Sequence, residues 1–259
     1  LESSNASYVT AMGYIAARYN TAGGNTAYGY AALQGVSGSS TGANNTAIGY
    51  ESLKSLTTGV YNVALGLQSG VSLNSGGNNT ILGYQAGNDI TNASDNAIVG
   101  YKAFYEGTGN QNVAVGSEAM RDTTTGLRNV AVGYAAMYDG ALTGNDNIAV
   151  GSLALQNNIS GASHIGIGYE ALKSMTAQTG AIGIGYQAGR LNTSGSYNVM
   201  IGHSSGRLST GTSITTVGGY AGYNLAGGTD NTLIGRNAGY DLTSGSNSVA
   251  VGARALENA

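Results

Sequence analysis

A short apolar run ending in glycine recurs along the whole chain, as in Asn45-Thr-Ala-Ile-Gly49 and Asn129-Val-Ala-Val-Gly133. Aligned on that glycine, the anchors are Gly13, Gly29, Gly49, Gly66, Gly83, Gly100, Gly116, Gly133, Gly151, Gly168, Gly185, Gly202, Gly218, Gly235 and Gly252, separated by 16 to 20 residues and most often by 17. Fifteen copies fill the 259 residues with no break in composition. So short a period marks a solenoid, in which each coil buries its apolar face only against its neighbours. The reading is one repeat domain over residues 1–259. The chain does not begin with Met, and Leu1 and Glu2 read as a cloning remnant.

Positions are counted here from the anchor glycine. Position −1 is Ile, Val, Leu or Met in every copy but that of Tyr28, and position +3 is Ala or Ser in all, from Ala16 to Ala255. These two columns are expected inside. Asn is common at −4 (Asn25, Asn45, Asn62) and Gly at −7 (Gly59, Gly126, Gly245). Both residues tolerate positive φ, so both columns are expected at turns. The apolar residues follow period 2 near the anchor in runs of four to six, which disfavours a helix. Each coil is therefore expected to hold two short strands and two turns, in an all-β parallel β-roll of about 15 coils. At about 4.8 Å per coil the array would be a rod roughly 70 Å long. Position −2, often Ala (Ala47, Ala64, Ala131), makes the strand apolar on both faces. A strand of that kind is normally covered on both sides, so the small −2 column is expected to face a sister chain in a homo-oligomer.

Composition excludes several functions. With 44 Gly, no Pro, and only 10 basic and 13 acidic residues, the chain is neither collagen nor an ordinary disordered segment. Without Cys there is no disulfide framework or thiolate metal site, and two His (His164, His203) leave little for imidazole-based catalysis. A net charge of −3 with scattered basic residues gives no footprint for nucleic acid. Apolar runs of four or five residues are too short to span a membrane. No cofactor is expected, and no enzyme activity, because no copy departs from the consensus enough to form a catalytic constellation.

The segments 45–50 (Asn-Thr-Ala-Ile-Gly-Tyr), 112–116 and 129–133 (Asn-Val-Ala-Val-Gly) and 248–252 (Ser-Val-Ala-Val-Gly) resemble the head repeats of trimeric autotransporter adhesins and the related repeats of bacteriophage tail fibres. That resemblance implies a left-handed β-roll, a homotrimer, an extracellular place on a cell surface or virion tail fibre, and attachment to a host-cell receptor or polysaccharide. The repeat here is longer than that of the adhesin heads. Two other readings are an ice-binding solenoid and a tail-spike polysaccharide depolymerase. The first would need a paired threonine column, whereas Thr57 and Thr58 fall in turns.

Three columns carry candidate chemistry. Position +1 is Tyr in eight copies (Tyr14, Tyr30, Tyr50, Tyr84, Tyr101, Tyr134, Tyr169, Tyr186), a row that either stiffens the sheet or stacks on sugar rings. Position +5 places Lys173, Arg190 and Arg207 on consecutive coils which, with His203, form a candidate patch for an anionic glycan or for solvent alone. Position +6 carries Asp89, Glu106, Asp122 and Asp139, a candidate Ca²⁺ ladder whose other reading is a series of turn residues.

Overall fold

The structure is a computed structural model that describes residues 8–123, 125–139 and 142–258, so that Leu1 and Glu2 lie outside it. The chain forms two compact units that divide between Arg128 and Asn129. The first contains β1 (Thr10–Met12), β2 (Thr26–Tyr28), β3 (Thr46–Ile48), β4 (Val63–Leu65), β5 (Thr80–Leu82), β6 (Ala97–Val99) and β7 (Val113–Val115). The second contains β8 (Val130–Val132), β9 (Ile148–Val150), β10 (Ile165–Ile167), β11 (Ile182–Ile184), β12 (Val199–Ile201), β13 (Thr215–Val217), β14 (Thr232–Ile234) and β15 (Val249–Val251). Within each unit every strand pairs in parallel with the next in sequence, in register on the anchor; Val63, Ala64 and Leu65 face Thr80, Ile81 and Leu82, for example. The architecture is an all-β parallel solenoid of about 14 turns of about 17 residues. Among the described residues no helix is long and apolar enough to cross a membrane.

Two expectations about the coil are corrected. Each coil contains one three-residue strand, not two. The side opposite the strand is a chain of overlapping turns, because positions +2 and +4 adopt positive φ in coil after coil: 56° at Glu51 and 48° at Leu53, 52° at Glu170 and 50° at Leu172. In the coil of Gly29, the +3 amide of Ala32 donates to the anchor carbonyl, and the +5 amide of Gln34 donates to that of Ala31. The turns are still laddered between coils, since Leu33 N–H donates to Ser52 O at 2.9 Å and Leu53 N–H to Ser69 O at 3.0 Å. The turns thus pair backbone groups of the second side within and between coils without that side being a strand.

The strand faces are also reversed. Position −2 points inward, with Ala47, Ala64, Ala114 and Ala131 fully buried. The larger side chains at −3 and −1 point outward. A coil this short brings its two sides close together, so in many coils the strand adds a small group where the opposite side adds a large one, although Ile98 and Phe104 are both large and fully buried in one coil. Ala47 goes with Leu53, Ala114 with Met120, Ala149 with Leu155 and Gly166 with Leu172. The order flips where the strand residue is large: Met200 goes with Gly206 and Leu233 with Gly239, each glycine so placed that a Cβ would come within 3 Å of the partner side chain. Adjacent coils share the same fit, for Gly183 leaves no room for a Cβ beside Leu172. Burial of a leucine stabilises by about 1.5–3 kcal/mol, which offsets the roughly 1–2 kcal/mol of left-handed strain at +4. The +3 column is buried, as expected, from Ala16 to Ala238.

The anchor glycine is required by both conformation and space. Gly49 has φ of +135°, and a Cβ there would press into the carbonyl oxygen of Gly66 in the next coil. The −4 asparagines, by contrast, are not positive-φ turn residues. That conformation belongs to position −5 (Asn44, Tyr61, Asn78), and the −4 side chains form a buried ladder. Asn62 Nδ2 donates to Asn45 Oδ1 at 3.1 Å and to Gly76 O at 2.9 Å. Its own Oδ1 accepts from the Asn79 backbone amide at 3.0 Å and from Asn79 Nδ2 at 2.9 Å. The same pattern continues through Asn96, and in the second unit links Asn129 and Asn147.

His164 then takes the asparagine place. Its backbone amide donates to Asn147 Oδ1 at 3.0 Å, and its Nδ1 accepts from the Ala181 amide at 3.1 Å, as an asparagine Oδ1 would. Accepting at Nδ1 puts the proton of the neutral ring on Nε2. Nε2 points toward the Gln178 carbonyl but completes no hydrogen bond. The side chain is fully buried, and burial pulls the imidazole pKa down to about 4 against the upward effect of the Gln178 and Ala181 backbone.

Candidate functional site

The outward strand face is an apolar band two residues wide. In the second unit it comprises Val130 and Val132, Ile148 and Val150, Ile165 and Ile167, Ile182 and Ile184, Val199 and Ile201, with threonines entering only at Thr215 and Thr232. No strand residue in either unit is charged. Leu65 is 50% exposed and Val251 66%, so these side chains face open space in the isolated chain. Parallel sheets are normally covered on both faces, and contiguous exposed apolar patches usually mark interfaces. At β1–β3 the outer row is Thr10, Thr26 and Thr46 in register, beside Met12, Tyr28 and Ile48 instead of a second threonine row.

Beside this band runs the tyrosine row. Tyr14, Tyr30 and Tyr50 stack with centroids 5.7 and 5.0 Å apart, Tyr84 on Tyr101 at 5.4 Å, and Tyr169 on Tyr186 at 5.3 Å. His203 extends the last pair at 4.9 Å from Tyr186. Tyr134 precedes a serine, Ser152, in the row. The rings are about half exposed. Such stacks contribute about 0.5–1.5 kcal/mol beyond area burial, which explains the row within the sheet itself.

At the +5 column, Lys173 Nζ lies 2.9 Å from Glu170 Oε1, and Arg190 Nε lies 2.6 Å from Glu170 Oε2. The Arg190 N–H is not aligned along that contact, so charge attraction rather than a linear hydrogen bond holds the pair. Burial pushes the Glu170 carboxyl upward. Hydrogen bonds from Lys173 and Gln187, with the charges of Arg190 and Lys173, outweigh it and hold the pKa below the ordinary range. Arg207 donates to Gln187 Oε1 at 3.3 Å and to the Tyr223 hydroxyl at 3.0 Å, with its guanidinium 5.5 Å from that ring's centroid. The structure therefore brings the three basic side chains to one surface but directs two of them at a carboxylate the sequence reading did not include. Glu170 could have been found from its +2 place, where Glu51 makes the same contacts with Lys54 at 2.7 Å and Gln68 at 3.0 Å.

The acidic column does not converge. Asp122 lies 3.6 Å from Arg121 Nε, Asp139 accepts from Gln156 at 3.0 Å, and Asp89 and Glu106 are exposed. Burial raises the Asp89 pKa above the ordinary value. Among the described residues no three His, Cys, Asp or Glu side chains gather where one metal ion could bind.

A concavity of about 410 Å³, lined by Tyr220, Arg236, Asn237 and Tyr240, was not anticipated. Its sequence signal is Gly219, which occupies +1 where a ring is usual, with the tyrosine shifted to +2. Compared with protein-family models, characterised proteins and solved structures, the chain finds no match.

Proposed function

We propose that this chain is a structural and adhesive segment of an extracellular fibre, assembled as a homotrimer of left-handed rolls and serving attachment to a cell surface or glycan. The observation that carries the reading is the uncharged apolar band on the outward strand face, exposed in one chain. A second and third copy of the same band would cover it at the cost of few polar groups, the threonine hydroxyls such as Thr215 and Thr232, because the strand amides already pair within the sheet. The resemblance of the Asn-Val-Ala-Val-Gly repeats to those of trimeric adhesins and tail fibres supplies the number three and the extracellular location. Native mass tests the assembly: the expected value is three times the 25.9 kDa of one chain. Ile167→Glu with Ile184→Glu, at two outward positions, is expected to release monomers that keep the β spectrum. A wild-type protein that runs as a stable monomer overturns the proposal.

A further inference from the structure

We infer that the concavity at Tyr220, Arg236, Asn237 and Tyr240 is a binding site for a pyranose sugar that carries a carboxylate. The inference takes its choice of sugar from the attachment reading above, but all four residues belong to one chain and none depends on assembly. The stacked row Tyr169, Tyr186 and His203 stops at Gly219, where an added Cβ would meet nothing within 4 Å. The row therefore lacks a ring at that coil. Tyr220 tilts at 47° to His203 instead of stacking, with centroids 5.0 Å apart, and lies 6.3 Å from Tyr240 at 55°. Tyr223 stacks on Tyr240 at 5.1 Å and 4°, and Arg207 fixes the Tyr223 hydroxyl. These contacts hold two inclined aromatic faces at the edge of an open hollow, which suits the apolar face of a sugar ring better than a flat ladder does.

The polar groups add direction. Arg236 is exposed, lines the hollow, and makes no ion pair or side-chain hydrogen bond among the described residues. A guanidinium presents a planar fork that matches a carboxylate in two parallel hydrogen bonds. Asn237 donates its Nδ2 to Glu257 Oε1 at 2.9 Å, which leaves its Oδ1 to accept from a sugar hydroxyl. Glu257 is the nearby carboxylate that would oppose an anion, and Arg254 lies 3.6 Å from its other oxygen. Asp241 sits one residue beyond Tyr240 and accepts from Asn224 at 3.0 Å. Arg236 is thus the basic group left for a ligand, while Arg254 faces the one acid tied to the site.

The test uses the full chain and saturation-transfer difference NMR, with methyl glucuronide as the charged probe and methyl glucoside as its neutral counterpart. Transfer to the glucuronide ring protons is expected, at least tenfold tighter than to the glucoside, since hydrogen bonds to charged groups are the stronger kind. Arg236→Gln is expected to reduce the two probes to similar weak binding. Tyr220→Asn is expected to abolish both while leaving the fold intact, because Tyr220 has φ of 60° and the next coil carries Asn237 in the same place at 58°. No transfer to the glucuronide, equal transfer to both probes in the wild type, or unchanged binding in Tyr220→Asn overturns the inference. Native mass is read separately, so a failed assembly and a failed site are distinguishable.

Discussion

Replacing His164 with Asn should make the protein less sensitive to mild acid. Burial lowers the imidazole pKa to about 4, so the ring stays neutral well above that pH, whereas in the unfolded chain it titrates near its ordinary 6.5. Between those values the unfolded state binds a proton that the folded state refuses, so stability falls as pH drops through 6.5 and levels off below 4. At about 1.36 kcal/mol per tenfold change in proton affinity, the full loss is about 3 kcal/mol, of which about 2 kcal/mol has accrued by pH 5. The paired carboxylates do not confuse that window. Glu51 and Glu170 have lowered pKa values, so the stability they lend is present above 4.5 and is lost only as pH falls below it. Urea unfolding of wild type and His164→Asn at pH 7.5 and pH 5.0 measures the effect. The wild type should lose about 2 kcal/mol more than the variant between the two conditions. The variant should also gain at pH 7.5, since an Asn Nδ2 can reach the Gln178 carbonyl as Asn147 reaches Gly161 at 2.9 Å. Equal pH dependence in the two proteins would refute the account of a buried neutral histidine standing in for an amide.

Two further perturbations probe the interior. Asn62→Leu removes four ladder hydrogen bonds and strands the Asn79 amide and the Gly76 carbonyl, so a loss of about 2–4 kcal/mol in chemical denaturation is expected; a loss under 1 kcal/mol would count against the ladder. Gly183→Ala places a methyl 2.6 Å from Leu172 Cγ and should cost about 1–3 kcal/mol. Combined with Leu172→Ala it should cost at least 0.5 kcal/mol less than the sum of the two single changes, roughly the least coupling that touching residues show. Strict additivity would mean the two residues do not share a space.

The period, the all-β class and the parallel register of the coils were all readable from the glycine anchors and the apolar residues before them. The facing of the strand was not. Period-2 alternation says that Ala149 and its neighbours Ile148 and Val150 point to opposite sides, but hydrophobicity alone favours putting the larger ones inside. The deciding fact is the bulky residue six places later, Leu155 for Ala149 or Leu172 for Gly166, which fills the interior from the other side. The asparagine column was visible and misassigned, because Asn is equally at home in a left-handed turn and in a side-chain ladder. At the surface, the tyrosine row stacks as its spacing implies. The partnering of Lys173 and Arg190 with Glu170 depends on a residue from another column, which the spacing of the basic residues does not reveal. The hollow at Tyr220 was signalled only by a one-residue displacement of a tyrosine past Gly219.

In the asparagine ladder every side-chain carbonyl accepts from the coil that follows, so the amide dipoles within a run share one sense. Aligned dipoles add, as they do along an α-helix, and the stack acquires a polarity that no titratable group supplies. A further coil can continue such a run only head to tail. One arriving in the opposite sense would set oxygen against oxygen, so the interior amides act as an arrow that dictates how these modules can be joined.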